Sequence, residues 1–290
     1  MSGSRGDAVR IRRQERAVED GYASPLLPGV RASADAARLA EEIAFANGRL
    51  LALSRAREDD ADGSLPALYA EVAALASDDL EQACWICFLS AYLCPLEGPE
   101  PFTGIRQALA SERDELEDLS EIPLGPRSSH DPSRGATTLH AYRAWYRQAG
   151  SQALAFTGEE TWSAQRRFER LFERLALPGM TRAARYELLC LLGSLGLFTL
   201  QADSLHLSSA RGGAATEDAT TLAAKRVFAI GDPLLLERRA HALAESIAVP
   251  IAALELALSN WQEGERVSLG FAPEASDAAT RDAARDALAL

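Results

Sequence analysis

Lysine is almost missing from this chain of 290 residues, because Lys225 is the only one and arginine supplies the other cations. The chain also has no apolar run of the roughly 18 residues that a membrane span requires. Residues 1–20 contain arginines but no apolar segment like that of a secretory signal. We therefore expect a soluble protein that neither crosses nor binds a membrane.

Cysteine is also scarce, and all four cysteines lie inside apolar segments rather than at the spacings of a disulfide framework. A reduced, cytoplasmic location is the simplest interpretation. Cys84, Cys87 and Cys94 share one predicted helical face and, with Cys190, could be imagined as a metal site. Cysteines in an apolar helix are more often small buried hydrophobes. The four histidines show no ligand spacing, so we expect no metal and no cofactor.

Positive charge is in deficit, with a formal net charge of −12. A chain so acidic is a poor candidate for a broad surface that grips a polyanion, because phosphate contacts come mainly from Lys and Arg. Residues 160–215 depart from this balance, since they carry seven arginines against five acidic residues. A focused site for an anionic ligand is compatible with that local excess.

Alternating apolar and polar residues, the pattern of a half-buried strand, are absent over any useful length, and the chain shows no repeat of 20–50 residues. Helical periodicity instead predicts an all-α fold with no significant sheet. The pattern predicts helices over residues 35–57, 105–119 and 181–195. The segment EQACWICFLSAYLCP is apolar nearly all round, so residues 83–93 should form a central buried helix.

The most informative segment is residues 167–207, where one helix ends at Leu177-Pro178-Gly179-Met180 and Thr181 is suited to cap the next. We call residues 177–182 the hairpin. A Pro-Gly turn before a helix can point backbone N–H groups outward, and the helix adds its positive N-terminal end. Leu177, Pro178, Gly179, Met180, Thr181 and Arg182 are therefore candidates for holding a phosphate.

Asp203 follows the hairpin leucine by about the interval that separates hairpin and catalytic carboxylate in one known family. On the hairpin and this spacing, the chain resembles the helix-hairpin-helix superfamily of DNA glycosylases. The resemblance spans residues 78–262, because Leu89-Ser90-Ala91-Tyr92 is similar to a buried helix of that family. Residues 1–33 mix arginines, acids, Gly and Pro without helical periodicity, which predicts a mobile arm. We expect a helical glycosylase-like domain of two lobes at 34–265 and a linker with a C-terminal helix at 266–290.

The resemblance implies an enzyme that hydrolyses the N-glycosidic bond of a modified or damaged base in DNA, with Asp203 as the essential carboxylate. Such a carboxylate can stabilise the positive charge that develops on the sugar and can direct water. A base extruded into the pocket would meet stacking side chains. Tyr92, His206 and Trp261 are the candidates for that pocket.

Three positions depart from the family pattern. Thr181 replaces the second hairpin glycine, and Tyr92 stands where a glutamine is expected. Ala183 falls where relatives with lyase activity carry an amine nucleophile, and Lys225 lies well beyond it. The enzyme should therefore be monofunctional, without a Schiff-base intermediate. No cysteine pattern matches the iron–sulphur cluster that some relatives carry.

Two alternatives remain open from the sequence. The acidic composition is compatible with a free nucleotide or nucleoside as substrate, cleaved by a salvage N-glycosylase on the same fold. A non-catalytic helical scaffold or interaction protein could also have kept the hairpin as a packing device, since a Pro-Gly turn is common between helices.

Without an amine nucleophile, we expect borohydride treatment during incubation with modified-base oligonucleotides to trap no covalent adduct. The measurement is a denaturing gel of protein and labelled oligonucleotide. A variant that lacks residues 1–16, the first part of the predicted arm, controls for an N-terminal amine. An adduct that survives this truncation and disappears in Lys225→Ala would contradict the monofunctional mechanism.

Overall fold

The computed structural model describes residues 17–56, 65–207 and 217–290, and every regular element in these ranges is helical. The all-α prediction is confirmed for this part of the chain. The helices are α1 (Ser33–Arg55), α2 (Ala67–Leu75), α3 (Leu80–Leu93), α4 (Thr103–Leu109), α5 (Thr137–Ala149), α6 (Gln152–Thr157), α7 (Ala164–Arg174), α8 (Arg182–Ser194), α9 (Ala219–Phe228), α10 (Pro233–Ile247), α11 (Ile251–Glu263) and α12 (Ala278–Ala287). Short 3-10 turns lie at Pro132–Arg134 and Pro273–Ala275.

Helix α3 is the centre of one half of the core, packed against α8 and flanked by α2, α4 and α6. Every residue from Ala83 to Leu93 is buried, which confirms the sequence prediction. The helix begins where the side chain of Asp79 accepts a hydrogen bond from the N–H of Gln82 at 2.9 Å. An all-round apolar helix is stable only where other helices cover every face, and here they do.

Helices α1, α9, α11 and α12 form the other half, in which α11 lies between α1 and α9. Two side-chain contacts give the direction of α9 relative to α11. Thr220 at the start of α9 donates to Glu255, and Arg226 near its end donates to Gln262. The two helices therefore run parallel, with the end of α9 beside the end of α11.

A buried ion pair joins the two halves. Arg49 of α1 donates two hydrogen bonds, of 2.6 and 3.0 Å, to the carboxylate of Glu187 on α8. Both side chains are more than nine-tenths buried. The paired geometry satisfies the two charges, and removing either partner would leave an uncompensated buried charge.

The acidic helix predicted over residues 105–119 is wrong beyond its first turns, because α4 ends at Leu109. Arg143 of α5 donates to the backbone carbonyls of Arg113 and Leu116, the second at 2.7 Å. A continuous helix would use those carbonyls for its own ladder. The tertiary contact replaces the helix in a segment whose acidic side chains also repel one another.

Both ends of the described chain are packed. Of the predicted arm, residues 1–16 lie outside the described residues, whereas Leu27 and Val30 are buried and the N–H of Gly29 donates to the carbonyl of Val227 at 2.9 Å. At the other end, α12 packs against α1 and α10. The predicted division into arm, domain and C-terminal segment stays a prediction.

Among the described residues no single helix is long and apolar enough to cross a membrane. Helices α10 and α11 pass such a test of length and composition only as a pair, and they are bent by 106° relative to each other.

Gly48 lies inside α1 where the C-terminal segment makes its closest approach. A Cβ at this position would stand 1.8 Å from the carbonyl oxygen of Ala275. We expect Gly48→Ala to lower the free energy of unfolding by about 1 kcal/mol or more, because overpacking of 1–3 kcal/mol exceeds the gain in helix propensity. Chemical denaturation measures it.

The matched control is Gly231→Ala, since no atom lies within 4 Å of a Cβ built there. This variant should stay within about 0.5 kcal/mol of the wild type or gain slightly. Equal stability of the two variants would show that the contact at Gly48 relaxes without cost.

Candidate active site

The hairpin is held down by two side chains from the preceding part of the chain. Thr138 donates to the carbonyl of Pro178 at 2.9 Å, and the hydroxyl of Ser129 donates to the carbonyl of Gly179 at 2.8 Å. Gly179 has a φ of 79°, and a Cβ there would lie 2.2 Å from the Thr138 hydroxyl. Only glycine therefore fits this turn without displacing Thr138.

Thr181 caps α8, as predicted, through a hydrogen bond of 3.2 Å from the N–H of Ala184 to its hydroxyl. Its own N–H donates to Ser129 at 2.8 Å. Two of the N–H groups at this helix start are thus used by the protein. Those of Arg182 and Ala183 complete the first turn, where the positive end of the helix dipole lies.

A cleft of about 1680 Å³ opens beside the hairpin. It is lined by the N-terminal ends of α8 and α9, the start of α1, the C-terminal end of α11 and the loop before α5. Its lining residues include Asp35, Arg38, Arg127, Thr181, Ala183, Asp218, Thr220, Arg226, Gln262, Glu263 and Glu265. Three helix N-termini, those of α1, α8 and α9, thus open onto one cavity, an arrangement suited to an anion.

Glu255 of α11 lies beneath this cleft and is only 2% exposed. One of its carboxylate oxygens accepts hydrogen bonds from Arg127 at 2.8 Å, Arg182 at 2.6 Å and Thr220 at 3.2 Å. These donors come from the loop before α5, from α8 and from α9. A single buried carboxylate therefore connects three of the elements that line the cleft.

Arg182 also binds a second carboxylate, that of Asp218. Its Nε donates to Asp218 at 2.9 Å and its Nη1 donates to the carbonyl of Leu205 at 2.9 Å. Asp218 also caps α9, because its carboxylate accepts from the N–H and the hydroxyl of Thr221 at 3.2 and 3.0 Å. Asp218 lines the cleft, whereas Arg182 is buried behind it.

The charges in this network favour the ionised forms. Burial would raise the pKa of Asp218, but the charge and hydrogen bond of Arg182 lower it below its ordinary value. The pKa of Glu255 is likewise lowered, because the charges of Arg127 and Arg182 outweigh burial. Burial alone would lower the pKa of Arg127, but the charge of Glu255 outweighs burial and raises that pKa above its ordinary value. Asp218 therefore presents a carboxylate to the cleft at neutral pH.

Asp203 does not line this cleft. Its side chain is exposed on the segment after α8, and its backbone carbonyl accepts a hydrogen bond from His241 at 2.9 Å. Nearby, the N–H groups of Leu205 and Leu207 donate to Glu237. The segment is thus anchored to α10 by its backbone. The catalytic role of Asp203 stays a prediction.

The other predicted pocket residues are dispersed. His206 stacks on Phe172 with ring centroids 4.1 Å apart, in a left-handed backbone conformation, and burial lowers its pKa. Tyr92 is fully buried, with its hydroxyl 2.7 Å from Nδ1 of His130, and burial raises its pKa. Neither side chain lines the cleft. Trp261 is buried below the cleft residues Arg38 and Arg226.

Sequence reasoning missed Asp218, Arg127 and Glu255. For Asp218 a local signal exists, because an acid followed by Thr221 at the third position opens a helical pattern, as helix caps do. The neighbouring Glu217 pairs with Lys225, which lies about two helical turns further on. Arg127 and Glu255 carry no such signal, since their partners are distant in sequence.

A second, smaller cleft of about 960 Å³ lies between α3, α5 and the segment that follows α4. Its lining includes Glu81, Trp85, Arg113 and Tyr146. Glu81 is engaged by the N–H groups of Gln152 and Ala153 and by Arg113, so it serves as a cap for α6. This cleft has no buried charge network of the kind found under the larger one.

Within the ranges 17–56, 65–207 and 217–290, no three His, Cys, Asp or Glu side chains are grouped as a metal ion requires. The four cysteines are free thiols, all buried. Burial raises the pKa of all four thiols, in the case of Cys94 to about 12. They are therefore neutral and pack as small apolar side chains.

Residues 127–268, just under half of the chain, match the model of the family described as alpha-glutamyl/putrescinyl thymine pyrophosphorylase clade 3. The chain is thus similar, over this segment, to enzymes named for thymine. No curated protein and no solved structure matches it. Membership of the glycosylase superfamily stays a prediction.

The matched segment contains most of the lining of the larger cleft, and the remaining lining residues precede it in sequence. It begins at Arg127 and includes the complete network of Arg127, Arg182, Asp218, Thr220 and Glu255. The smaller cleft is lined in large part by residues that precede the match. We therefore take the larger cleft as the candidate active site.

Arg182→Met should lower the free energy of unfolding by about 3–5 kcal/mol at neutral pH, because it removes the cation between two carboxylates. Arg166→Met, at an exposed position of α7, is the matched control and should change stability by less than about 0.5 kcal/mol. Urea denaturation at pH 7 measures both.

The pH dependence of the free energy of unfolding tests whether Arg182 acts through its charge. Because the pKa values of Asp218 and Glu255 are lowered, their contribution is complete above the unfolded values near 4 and is lost as the pH falls through the folded values. The difference between wild type and Arg182→Met should therefore shrink on acidification. A difference that is constant from pH 7 to pH 3 would show that Arg182 acts by packing alone.

Proposed function

We propose that the larger cleft is the active site of an enzyme that substitutes the 5-methyl carbon of a thymine, with pyrophosphate as the leaving group. The observation that carries this proposal is that the matched segment, residues 127–268, contains the charge network and most of the lining of the cleft. The family is named for thymine, for glutamyl and putrescinyl groups, and for pyrophosphate.

The chemistry follows from the structure of thymine. Its only saturated carbon is the 5-methyl group, so a glutamyl or putrescinyl amine joined to thymine by simple substitution is attached there. The amine enters in its neutral form, its nitrogen lone pair forms the C–N bond, and the C–O bond to pyrophosphate breaks. Pyrophosphate leaves with that electron pair, and the new secondary ammonium keeps its protons.

The end of the cleft at α8 and α9 suits the leaving pyrophosphate. Ala183 and Thr220 lie in the first turns of these helices, where N–H groups and the dipole attract anions. Arg127 lines the same end, and Glu255 fixes its guanidinium through one nitrogen. A fixed guanidinium stabilises the charge that develops on the departing pyrophosphate without rearranging.

Asp218 is suited to stabilise the positive charge that develops on the reacting groups. As pyrophosphate departs, positive charge develops on the thymine methylene and then on the amine nitrogen. An ionised carboxylate in the same cleft stabilises that charge and accepts an N–H from the amine. Its lowered pKa makes Asp218 a weak base, so its role is electrostatic and orienting rather than proton storage.

The N-glycosidic hydrolase predicted from the sequence is the second candidate. The observation that favours it is the same carboxylate, because Asp218 pairs with Arg182 of the hairpin and lines the cleft. In that reaction the carboxylate would stabilise positive charge on the sugar. DNA and a free nucleotide both remain candidate substrates for either reaction.

We expect Asp218→Asn to lower kcat at least about 100-fold, and Asp203→Asn to leave it unchanged. Both substitutions exchange a carboxylate for an amide, and asparagine caps a helix as well as aspartate does, so α9 should persist. The assay supplies a 5-(pyrophosphoryloxymethyl)uracil nucleotide, free or within an oligonucleotide, together with L-glutamate or putrescine.

Mass spectrometry separates the outcomes. Pyrophosphate with an aminated base supports the transferase, whereas a released free base supports the hydrolase. Loss of turnover in Asp203→Asn with full turnover in Asp218→Asn would contradict the catalytic role of Asp218. The melting temperatures of both variants show whether unfolding, rather than the missing carboxylate, causes a loss of turnover.

A further inference from the structure

Residues 203–207, which follow α8, are held through their backbone by side chains of two helices. The carboxylate of Glu237 on α10 accepts hydrogen bonds from the N–H groups of Leu205 and Leu207, at 2.9 and 3.1 Å. The hydroxyl of Tyr186 on α8 donates to the carbonyl of Ser204 at 3.1 Å. We call residues 203–207 the strap. Its position is therefore set by α8 and α10 rather than by regular structure of its own.

The strap supports the larger cleft through Arg182. The carbonyl of Leu205 accepts a hydrogen bond of 2.9 Å from the Nη1 atom of Arg182. The same guanidinium group donates to the carboxylates of Asp218 and Glu255. A buried donor that loses its acceptor pays the cost of desolvation without compensation. Displacement of the strap would therefore weaken the hold of Arg182 in the charge network beneath the cleft.

The ring of His206 packs against aromatic side chains of α7 and α8. It stacks on Phe172, with the ring centroids 4.1 Å apart and the planes inclined by 13°. The centroids of Phe168 and Tyr186 lie 6.0 and 6.4 Å away, and burial raises the pKa of Tyr186, which keeps it neutral. His206 has a φ of 50°, in the left-handed region that a residue other than glycine occupies at a cost in free energy. The ring stack and the anchored backbone on either side of it therefore maintain this conformation.

Burial and four charged side chains act on the protonation of His206. Burial is the largest influence, and it lowers the pKa of the ring below its ordinary value. Glu237 of α10 and Glu169 of α7 favour the protonated ring, whereas Arg182 and Arg185 of α8 disfavour it. The balance remains on the side of the lowered pKa, so the packed ring is neutral at neutral pH. A proton binds more readily to the same ring once it lies in water.

We propose that the strap is an acid-sensitive latch, in which protonation of His206 releases the ring from Phe172 and frees the backbone of the strap. The inference goes beyond the proposed function and requires no particular reaction in the cleft. The stabilisation of the latched form is complete above the ordinary histidine value near pH 6.5, and it is lost as the pH falls from there through the lower pKa of the packed ring. Carboxylates ordinarily titrate near pH 4, so histidine is the group that acts in mild acid.

The test measures amide hydrogen exchange of Leu205 and Leu207 in the full chain at pH 7.5 and 5.5, corrected for the intrinsic pH dependence of exchange. We expect the protection of these two amides in wild type to fall at least about 3-fold at the lower pH. His206→Asn keeps a residue that tolerates the left-handed region but cannot titrate. This variant should have less protection at pH 7.5 and no further loss at pH 5.5. His140→Gln, at an exposed position of α5, is the matched control and should keep the pH dependence of wild type.

A second histidine, His241 of α10, contacts the strap through the carbonyl of Asp203 and needs its own variant. His241→Gln should keep the pH dependence, and its loss there would overturn the proposal. Persistence of the pH dependence in His206→Asn, or equal protection of wild type at both pH values, would overturn it as well. One measurement needs no variant: the NMR titration of the His206 ring in wild type should share its midpoint with the loss of amide protection. Two separate midpoints would show that another group opens the strap.

Discussion

The buried carboxylate of Glu255 is the constraint on which the cleft depends. It lies on a buried part of α11, and it is stable there only because cationic donors from two other elements reach it. Its partners are the loop before α5 and the first turn of α8, with the start of α9 as a third contact. Moving any one of these elements would leave charge buried without compensation, so the network fixes their relative positions.

The hairpin contributes through this network more than through its own backbone. Thr181 gives its N–H to Ser129, and the carbonyls of Pro178 and Gly179 are already engaged. Arg182, the last hairpin residue, points inward and orients the carboxylate of Asp218 through a hydrogen bond. A motif that from sequence suggests a surface for phosphate is here also the support for the residues that face the cleft.

The sequence allowed the helical fold to be predicted wherever the signal is local. The apolar run from Ala83 to Leu93 and the cap at Thr181 are such cases. The signal failed where a distant residue decides the structure. Arg143 holds the non-helical segment after α4 through carbonyls 30 and 27 positions away, and Glu255 meets arginines 128 and 73 positions away. A lone glutamate in an apolar helix gives no indication of such partners.

The scarcity of lysine has a practical side. A reagent that acylates side-chain amines has one lysine to modify, Lys225, and that residue lies on α9 directly before the cleft residue Arg226. Its contact with Glu217 places it next to the cap of the same helix. Amine-directed labels, spin probes or crosslinkers would therefore report from a single known side-chain position beside the cleft, without the need to remove competing sites by mutagenesis.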